Sequence, residues 1–297
     1  MADTPPLFKT ITIVGPGLIG SSILRRARQT DTIAQKLIAA DCQEAVLHRV
    51  TALNIADETT TDLIAAAAQS DLVILCIPTG AIRAVAATIL PHMKPGSILS
   101  DVASVRSNLG PEIHALLPEG VSYVPAHPMA GTEYSGPDAG FATLFEDRWT
   151  LLIPPPGTAP EAIALMEAFW HRCGARTRQM TDQYHDQVCA IVSHLPHLLA
   201  FTICNTADRL SADLQTDVLE YAASGFRDFT RIAASDPIMW RDIFLTNKDV
   251  LLATFKRFEE DAHRMVKAIQ EDDSEAIMQN LQRGRHIRRG LMPEPQN

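Results

Sequence analysis

The chain holds little that would tie it to a membrane, a nucleic acid or an oxidising compartment. None of its apolar runs reaches the ~18 residues of a membrane span. Its start, MADTPPLFKT, lacks the basic and apolar regions of a secretory leader. Basic residues are the minority: 26 Lys and Arg stand against 35 Asp and Glu, a net charge of −9, with no basic block to track phosphates. General nucleic-acid binding is therefore not expected. An acidic chain can still hold an anion, but it needs local arginines to do so. The cysteines Cys42, Cys76, Cys173, Cys189 and Cys204 are odd in number, scattered, and never spaced C-x-x-C. Reduced thiols in a cytoplasm are expected, without a disulfide framework and without a metal in the chemistry. Internal repeats and low-complexity tracts are missing as well.

What is present is core material. The chain has 297 residues, 46% hydrophobic and 21% charged, which suits a soluble globular protein of two domains. Its first half alternates strands with helices. Short apolar runs at 10–15, 36–41, 71–78, 96–102, 121–128 and 148–154 read as strands. Segments 18–29, 61–69, 80–90 and 104–117 read as helices between them. Such alternation implies a parallel sheet covered on both faces. After 175–180 the strand signals fade, and long helical runs follow at roughly 182–210, 212–224, 236–262 and 273–288. Asp182, Ser211, Asp236 and Ser274 are candidate caps or first-turn residues. The expected plan is a Rossmann-type domain over 1–180 and an all-helical domain over 181–297. Pro196, inside SHLPH, cannot donate to the carbonyl four residues back and should disturb its helix.

The stretch GPGLIG sets Gly15, Gly17 and Gly20 directly after a strand and at the opening of a helix. In that context the first glycine permits the turn, the second lets backbone approach a pyrophosphate, and the third lets helix pack on strand. The first-turn N–H groups of Leu18, Ile19 and Gly20 would face the anion. Asp41, about 20 residues on and at the end of the second strand, suits the adenosine ribose hydroxyls. Its carboxylate would repel a 2′-phosphate, so NAD is expected rather than NADP. A glycine turn in an unrelated α/β protein would look the same in the bare motif.

Four patches carry candidate chemistry. Asp101, Ser104 and Arg106 follow a strand at the edge where open α/β sheets bind ligands, and Asp101 joins the cofactor set. His127 and Glu133 lie in YVPAHPMAGTEYSGP, where Pro128 stiffens the turn after an apolar run. Ser193, His194 and His197 share the helix interrupted by Pro196. Arg227, Arg231 and Arg241 accompany Trp240 further on. Each has a plainer reading: Ser104 as a helix cap, the histidines as ordinary structural residues, Arg227 and Arg231 as partners of Asp228 or Asp236.

Taken in order, GPGLIG, DVASVR, HPMAGTE and HDQVCAIVSHLPH resemble the prephenate/arogenate dehydrogenase family over roughly residues 10–290. The resemblance implies an NAD-dependent oxidative decarboxylation of a cyclohexadienol carboxylate, by a homodimer built through its helical domain. His127 matches the histidine that accepts the hydrogen bond of the substrate hydroxyl. Ser104 matches the serine that bonds that histidine and the hydroxyl. His197 matches a substrate-side histidine, with His194 beside it. Arg231, in TRIA, matches the arginine that clamps a substrate carboxylate. Glu133 and Asp186 match acidic residues that gate or order the site. Pro16 and Arg106 depart from the leucine and lysine common in the family, without loss of turn or charge. A chain ending near 297 is expected to carry no appended regulatory domain, and no mutase-like segment is expected before the glycine loop. Any feedback by tyrosine would then act at the active site. Two alternatives remain: another β-hydroxyacid-type dehydrogenase, which would commonly carry a lysine on the long helix, and a non-catalytic NAD(H) sensor.

Overall fold

The structure is a computed structural model that describes residues 5–106, 109–132, 134–214 and 218–291. Two compact units divide the chain, Met1–Lys248 and Asp249–Asn297.

The first unit is built on a parallel sheet. Its strands are β1 (Phe8–Val14), β2 (Ala34–Ala40), β3 (Glu58–Thr60), β4 (Leu72–Leu75), β5 (Ile98–Asp101) and β6 (Ser122–Tyr123), in the spatial order β3-β2-β1-β4-β5-β6. That order reverses between β1 and β4, the crevice where doubly wound sheets bind dinucleotides. β4 and β5 are buried at every position, as parallel strands covered on both faces must be. The period of two sorts the side chains. Ile11, Ile13, Leu72 and Ile74 pack with Ile23, Leu24 and Trp170, while Val14, Val73, Leu75 and Leu99 pack with Ile82, Ile89 and Tyr123. Helices α1 (Leu18–Gln29), α2 (Glu44–Ala52), α3 (Leu63–Gln69), α4 (Thr79–Ile89) and α5 (Leu109–His114) connect the strands.

The apolar run at 121–128, expected as one strand, is two. Pro125 has no N–H to give a ladder, and the chain changes sheets there. Val124 N still donates to Leu99 O in the first sheet, and Ile153 N donates to Pro125 O in the second. The second sheet pairs β7 (Ala126–Pro128) antiparallel with β8 (Trp149–Leu152), and β8 parallel with β9 (Arg176–Gln179). Between β8 and β9 runs α6 (Pro160–Arg172), whose Met166, Phe169 and Trp170 are fully buried.

One helix of 32 residues, Asp182–Asp213, leads the helical half. It spans α7 (Asp182–Cys189), a π turn (Ala190–His194) and all but the last residue of α8 (Leu195–Leu214). The disturbance expected from Pro196 takes this form: the turn before it is widened, and Leu195 N reaches back to Ala190 O. The helix is long and apolar enough to cross a membrane by length and composition, with a best-window mean hydropathy of 1.5. Polar residues interrupt this window, so it holds no unbroken apolar run of that length. The expected helix at 212–224 is replaced by the end of α8, a 3₁₀ turn (Val218–Tyr221) and α9 (Ser224–Thr230). The expected helix at 236–262 is broken at Asn247 into α10 (Pro237–Thr246) and α11 (Lys248–Gln270). Asp236 caps α10 as expected, through Met239 N at 2.8 Å. Asp182 and Ser274 are first-turn residues, as expected, of α7 and of the last helix, α12 (Ser274–Gly290), whose caps are Thr181 and Asp273. Ser211 lies inside α8, where its hydroxyl donates to Ala207 O.

The second unit is a helical hairpin of most of α11 with α12, turning through Asp272 at a positive φ of 53°. It exposes apolar side chains on both helices, among them Leu252, Val266, Ile269, Met278, Leu281 and Ile287.

Candidate active site

The glycine loop lies at the β1–β4 crevice. Gly15 has φ +80°, a left-handed conformation that disfavours any side chain. A Cβ there would also meet Cys76 O at 2.6 Å and Ile77 Cγ2 at 2.7 Å. A Cβ on Gly20 would meet Gly15 O at 2.6 Å, so this position lets α1 pack on β1. Gly17 differs: a Cβ there would meet nothing within 4 Å. It faces open space at the N-cap of α1 and carries no side-chain cap. By helix geometry the first N–H groups of α1, including those of Leu18, Ile19 and Gly20, lack intrahelical partners. The space over Gly17 and those donors suit a pyrophosphate. Asp41 follows the end of β2, next to this crevice, and its Oδ1 accepts from Gln43 N at 2.8 Å. The loop therefore fits NAD on backbone shape as well as on motif.

From the glycine loop a chain of contacts runs along the carboxyl edge of the sheet. Cys76 feels the charge of Asp101, which helps burial push its thiol up. Asp101 is fully buried and ion-paired with the equally buried Arg106. Its carboxylate also accepts from Tyr123 Oη and from Ala103 N. Burial alone would lower the pKa of Arg106, but the Asp101 carboxylate holds the guanidinium charged. Asp101 was expected to serve the cofactor. Its oxygens are committed to Tyr123 of β6 and to the loop that carries Ser104 and Arg106. Val105 of the same loop packs against Trp240 and Ile243 of α10.

Next along the edge is a hydrogen-bonded relay. His127 sits on β7 and is 8% exposed. Its Nδ1 lies 2.8 Å from His185 Nε2, and His185 Nδ1 lies 2.8 Å from Asp186 Oδ1. Arg106 N donates to the same Asp186 oxygen at 2.9 Å. A carboxylate only accepts, so His185 carries its proton on Nδ1. With both rings neutral, His185 Nε2 accepts and His127 Nδ1 donates. The lone pair of His127 is then on Nε2, the nitrogen turned away from the relay. Burial is the main force lowering the His127 pKa well below its ordinary value, and the neighbouring His185 and the Arg106 guanidinium add to it. Cys189 Sγ stands 3.4 Å from His185 Nε2 and 3.7 Å from His127 Nδ1. Its thiol is pushed up to about 12 by burial, with Asp186 adding to the effect.

The π turn supplies a second group. His194 is fully buried, and burial pushes its pKa down to about 4. Asn247 at the α10–α11 break ties it in: its amide donates to Asp186 O at 3.0 Å and lies 3.1 Å from His194 Nδ1. His197 Nδ1 donates to Ser193 O at 2.8 Å, which leaves its Nε2 as the acceptor. Its ring stacks on Trp240 with centroids 3.6 Å apart. The charge of Arg231 is close enough to depress the His197 pKa, after the larger effect of burial. Among the described residues Arg231 forms no ion pair, whereas Arg241 is paired with Asp242 at 2.7 Å.

The expected residues thus divide. His127 and Asp186 meet through a residue that the sequence reading had not singled out, His185. Its only sequence signal is the His-Asp pair within DQYHDQVC, four residues before Cys189. Asn247 and the stacking of Trp240 on His197 also went unforeseen. Ser104 makes no hydrogen bond to His127 among the described residues; its backbone instead faces His194. His194 is buried and tied to Asn247, where an open substrate contact was expected. Glu133 lies outside the described residues.

Known proteins resemble this chain over most of its length. Residues 24–179 match the family described as prephenate dehydrogenase, nucleotide-binding domain, and residues 181–283 match prephenate dehydrogenase, dimerization domain. The chain is 37% identical to a cyclohexadienyl dehydrogenase of Zymomonas mobilis, over 96% of this chain and 97% of that one. It is 29% identical to a prephenate dehydrogenase of Bacillus subtilis, over 95% of this chain and 76% of the relative. Among solved structures, a prephenate dehydrogenase of Aquifex aeolicus in complex with hydroxyphenyl propionate and NAD+ superposes with a TM-score of 0.89 at 30% identity. That match covers 96% of this chain and 98% of the other.

Proposed function

Because the chain belongs to the prephenate dehydrogenase family, we propose that it catalyses the NAD-dependent oxidative decarboxylation of prephenate, arogenate or both, in tyrosine biosynthesis. The observation that carries the reading is the Asp186–His185–His127 relay, which leaves a neutral imidazole with its lone pair on Nε2. Bound NAD supplies a hydride acceptor, and loss of carbon dioxide with aromatisation of the ring drives the oxidation forward. His127 Nε2 accepts the proton of the substrate hydroxyl as the carbinol carbon is oxidised. The resulting imidazolium donates through Nδ1 to His185, and the Asp186 carboxylate at the far end offsets the charge. His197 Nε2 offers a second acceptor to the substrate. Arg231, a fork without an ion-pair partner among the described residues, clamps a substrate carboxylate. Ser104 lies on the loop beside His194 and completes the substrate hydroxyl's surroundings.

The same reading assigns Gly15, Gly17, Leu18, Ile19, Gly20 and Asp41 to NAD. It gives Asp101 the task of holding the loop, and His194 that of ordering Asp186 through Asn247. Glu133 remains the gating acid that the family resemblance implies. We take the boundary near residue 180 as the division between the cofactor domain and the substrate and dimerisation domain. A homodimer is supported by the exposed apolar side chains of the α11–α12 hairpin. The long helix Asp182–Asp213 carries no lysine, the residue other β-hydroxyacid dehydrogenases commonly use there. Buried polar groups on it, His185, Asp186 and His194, suit a helix of a cytoplasmic enzyme rather than one facing lipid. The decisive assay is absorbance at the NADH band with purified protein and NAD, given prephenate or arogenate and repeated with NADP. Turnover with NAD and either substrate is expected. Protein that binds NADH yet stays silent with both substrates would overturn the assignment.

A further inference from the structure

We propose that His127, His185 and Cys189 form an inhibitory binding site for a thiophilic divalent cation of the zinc type. Two imidazole nitrogens and a thiol converge from β7 and α7, all three residues buried. His185 and Cys189, four apart, share one face of α7. Tetrahedral zinc with bonds of ~2.0–2.1 Å to nitrogen and ~2.3 Å to sulfur sets neighbouring donors roughly 3.3–3.7 Å apart. The two sulfur–nitrogen separations, 3.4 and 3.7 Å, already have that value. The two nitrogens, at 2.8 Å, must part by about half an ångström, well within side-chain rotation. The outer shell is also in place. His185 Nδ1 donates to Asp186 Oδ1, the carboxylate–histidine arrangement that orients a metal-bound imidazole. Three protein donors leave a fourth position for water.

The binding step balances without redox chemistry. The cation takes the lone pair of His185 Nε2 unchanged. Cys189 loses its thiol proton to solvent and binds as thiolate. His127 presents Nδ1 to the cation only after its proton moves from Nδ1 to Nε2. One proton is released per cation bound. The Nε2 lone pair that would accept the substrate proton is then blocked by a proton. Binding itself is independent of the function proposed above; only its inhibitory effect rests on that reading.

The test uses the full-length protein under anaerobic conditions, titrated with Co²⁺ and then Zn²⁺. A thiolate-to-cobalt charge-transfer band should rise to one equivalent, with about one proton released, and Zn²⁺ should displace it. Zn²⁺ should inhibit turnover reversibly, with recovery on adding a chelator. Cys189→Ser should lose the band and weaken Zn²⁺ inhibition at least about tenfold, while NADH fluorescence titration checks that the variant is folded. Absence of the band in wild-type protein would overturn the site, whatever the variant does. Equal Zn²⁺ inhibition of wild type and Cys189→Ser would do the same. A saturable band without inhibition would keep the site, and would overturn both its inhibitory role and His127 as the base.

Discussion

Gly15 and Gly17 are two residues apart in one loop, yet the structure separates what each contributes. Gly15→Ala must hold a side chain at φ +80°, about 1–2 kcal/mol against an L-residue. Its Cβ must also displace Cys76 O, a backbone atom at 2.6 Å that cannot swing aside. Overpacking of that kind costs about 1–3 kcal/mol. The sum, roughly 2–5 kcal/mol, lowers Tm by about 5–15 °C for a domain of this size. Gly17 has φ −73° and ψ −153°, an extended conformation open to alanine, and its Cβ would touch nothing. The entropy gained in the unfolded chain, ~0.4–1 kcal/mol, is offset by alanine's poorer N-cap, so Gly17→Ala stays within about 1 kcal/mol of wild type. That methyl group would occupy the space a pyrophosphate needs. Its cost appears in binding: at least about a tenfold rise in the NADH Kd, ~1.4 kcal/mol. The assay pairs thermal unfolding with NADH fluorescence titration on both variants. A Gly17→Ala protein that binds NADH like wild type would refute the placement of the pyrophosphate over this residue.

Three more outcomes are expected. His127→Asn should keep its NADH affinity while kcat falls by about 10²–10⁴, the usual worth of a general base. Because the His127 pKa lies below its ordinary value, the acid limb of the wild-type kcat/KM profile should fall below pH ~6.5, and a limb above pH 7 would contradict the relay. Arg231→Ala should raise KM by about 10–100-fold with a smaller change in kcat, since it removes a charged clamp; if KM stays put, Arg227 or Arg241 binds the carboxylate. His194 is neutral when folded down to about pH 4, but gains a proton below ~6.5 when unfolded, so stability is full above ~6.5 and declines towards pH 4. The loss is about 3 kcal/mol. Urea unfolding of His194→Gln across this range should lack that component, and an identical pH dependence in the variant would remove His194 as its source.

The short apolar runs specified β1, β2, β4 and β5, because a strand buried on both faces has few polar positions to spare; β3, the polar Glu58–Thr60 at the sheet edge, left no such run, and 148–154 went to the second sheet. GPGLIG was legible for a related reason. Only glycine tolerates both the turn at Gly15 and the close approach at Gly20, so the geometry is written into the residue type. His127 stood out through its neighbours Pro125 and Pro128, yet the consequence of Pro125 did not. A proline that changes sheets and one that merely bends a loop read alike along the chain.

The rest depended on distances that one-dimensional spacing does not encode. His185 joins His127 across 58 positions, Arg106 N meets Asp186 across 80, and Asn247 reaches His194 across 53. Asp101 looked like a ligand contact at a strand end; burial beside Arg106 made it an ion pair instead. The sequence by itself determined most of the parallel sheet and the glycine loop, since these rest on local sterics and periodicity, and it pointed to His127 through a family resemblance. Only the tertiary structure decided which nitrogen of that imidazole keeps its lone pair. A tautomer is set by its partners, and the partners arrive from α7 and the loop after β5.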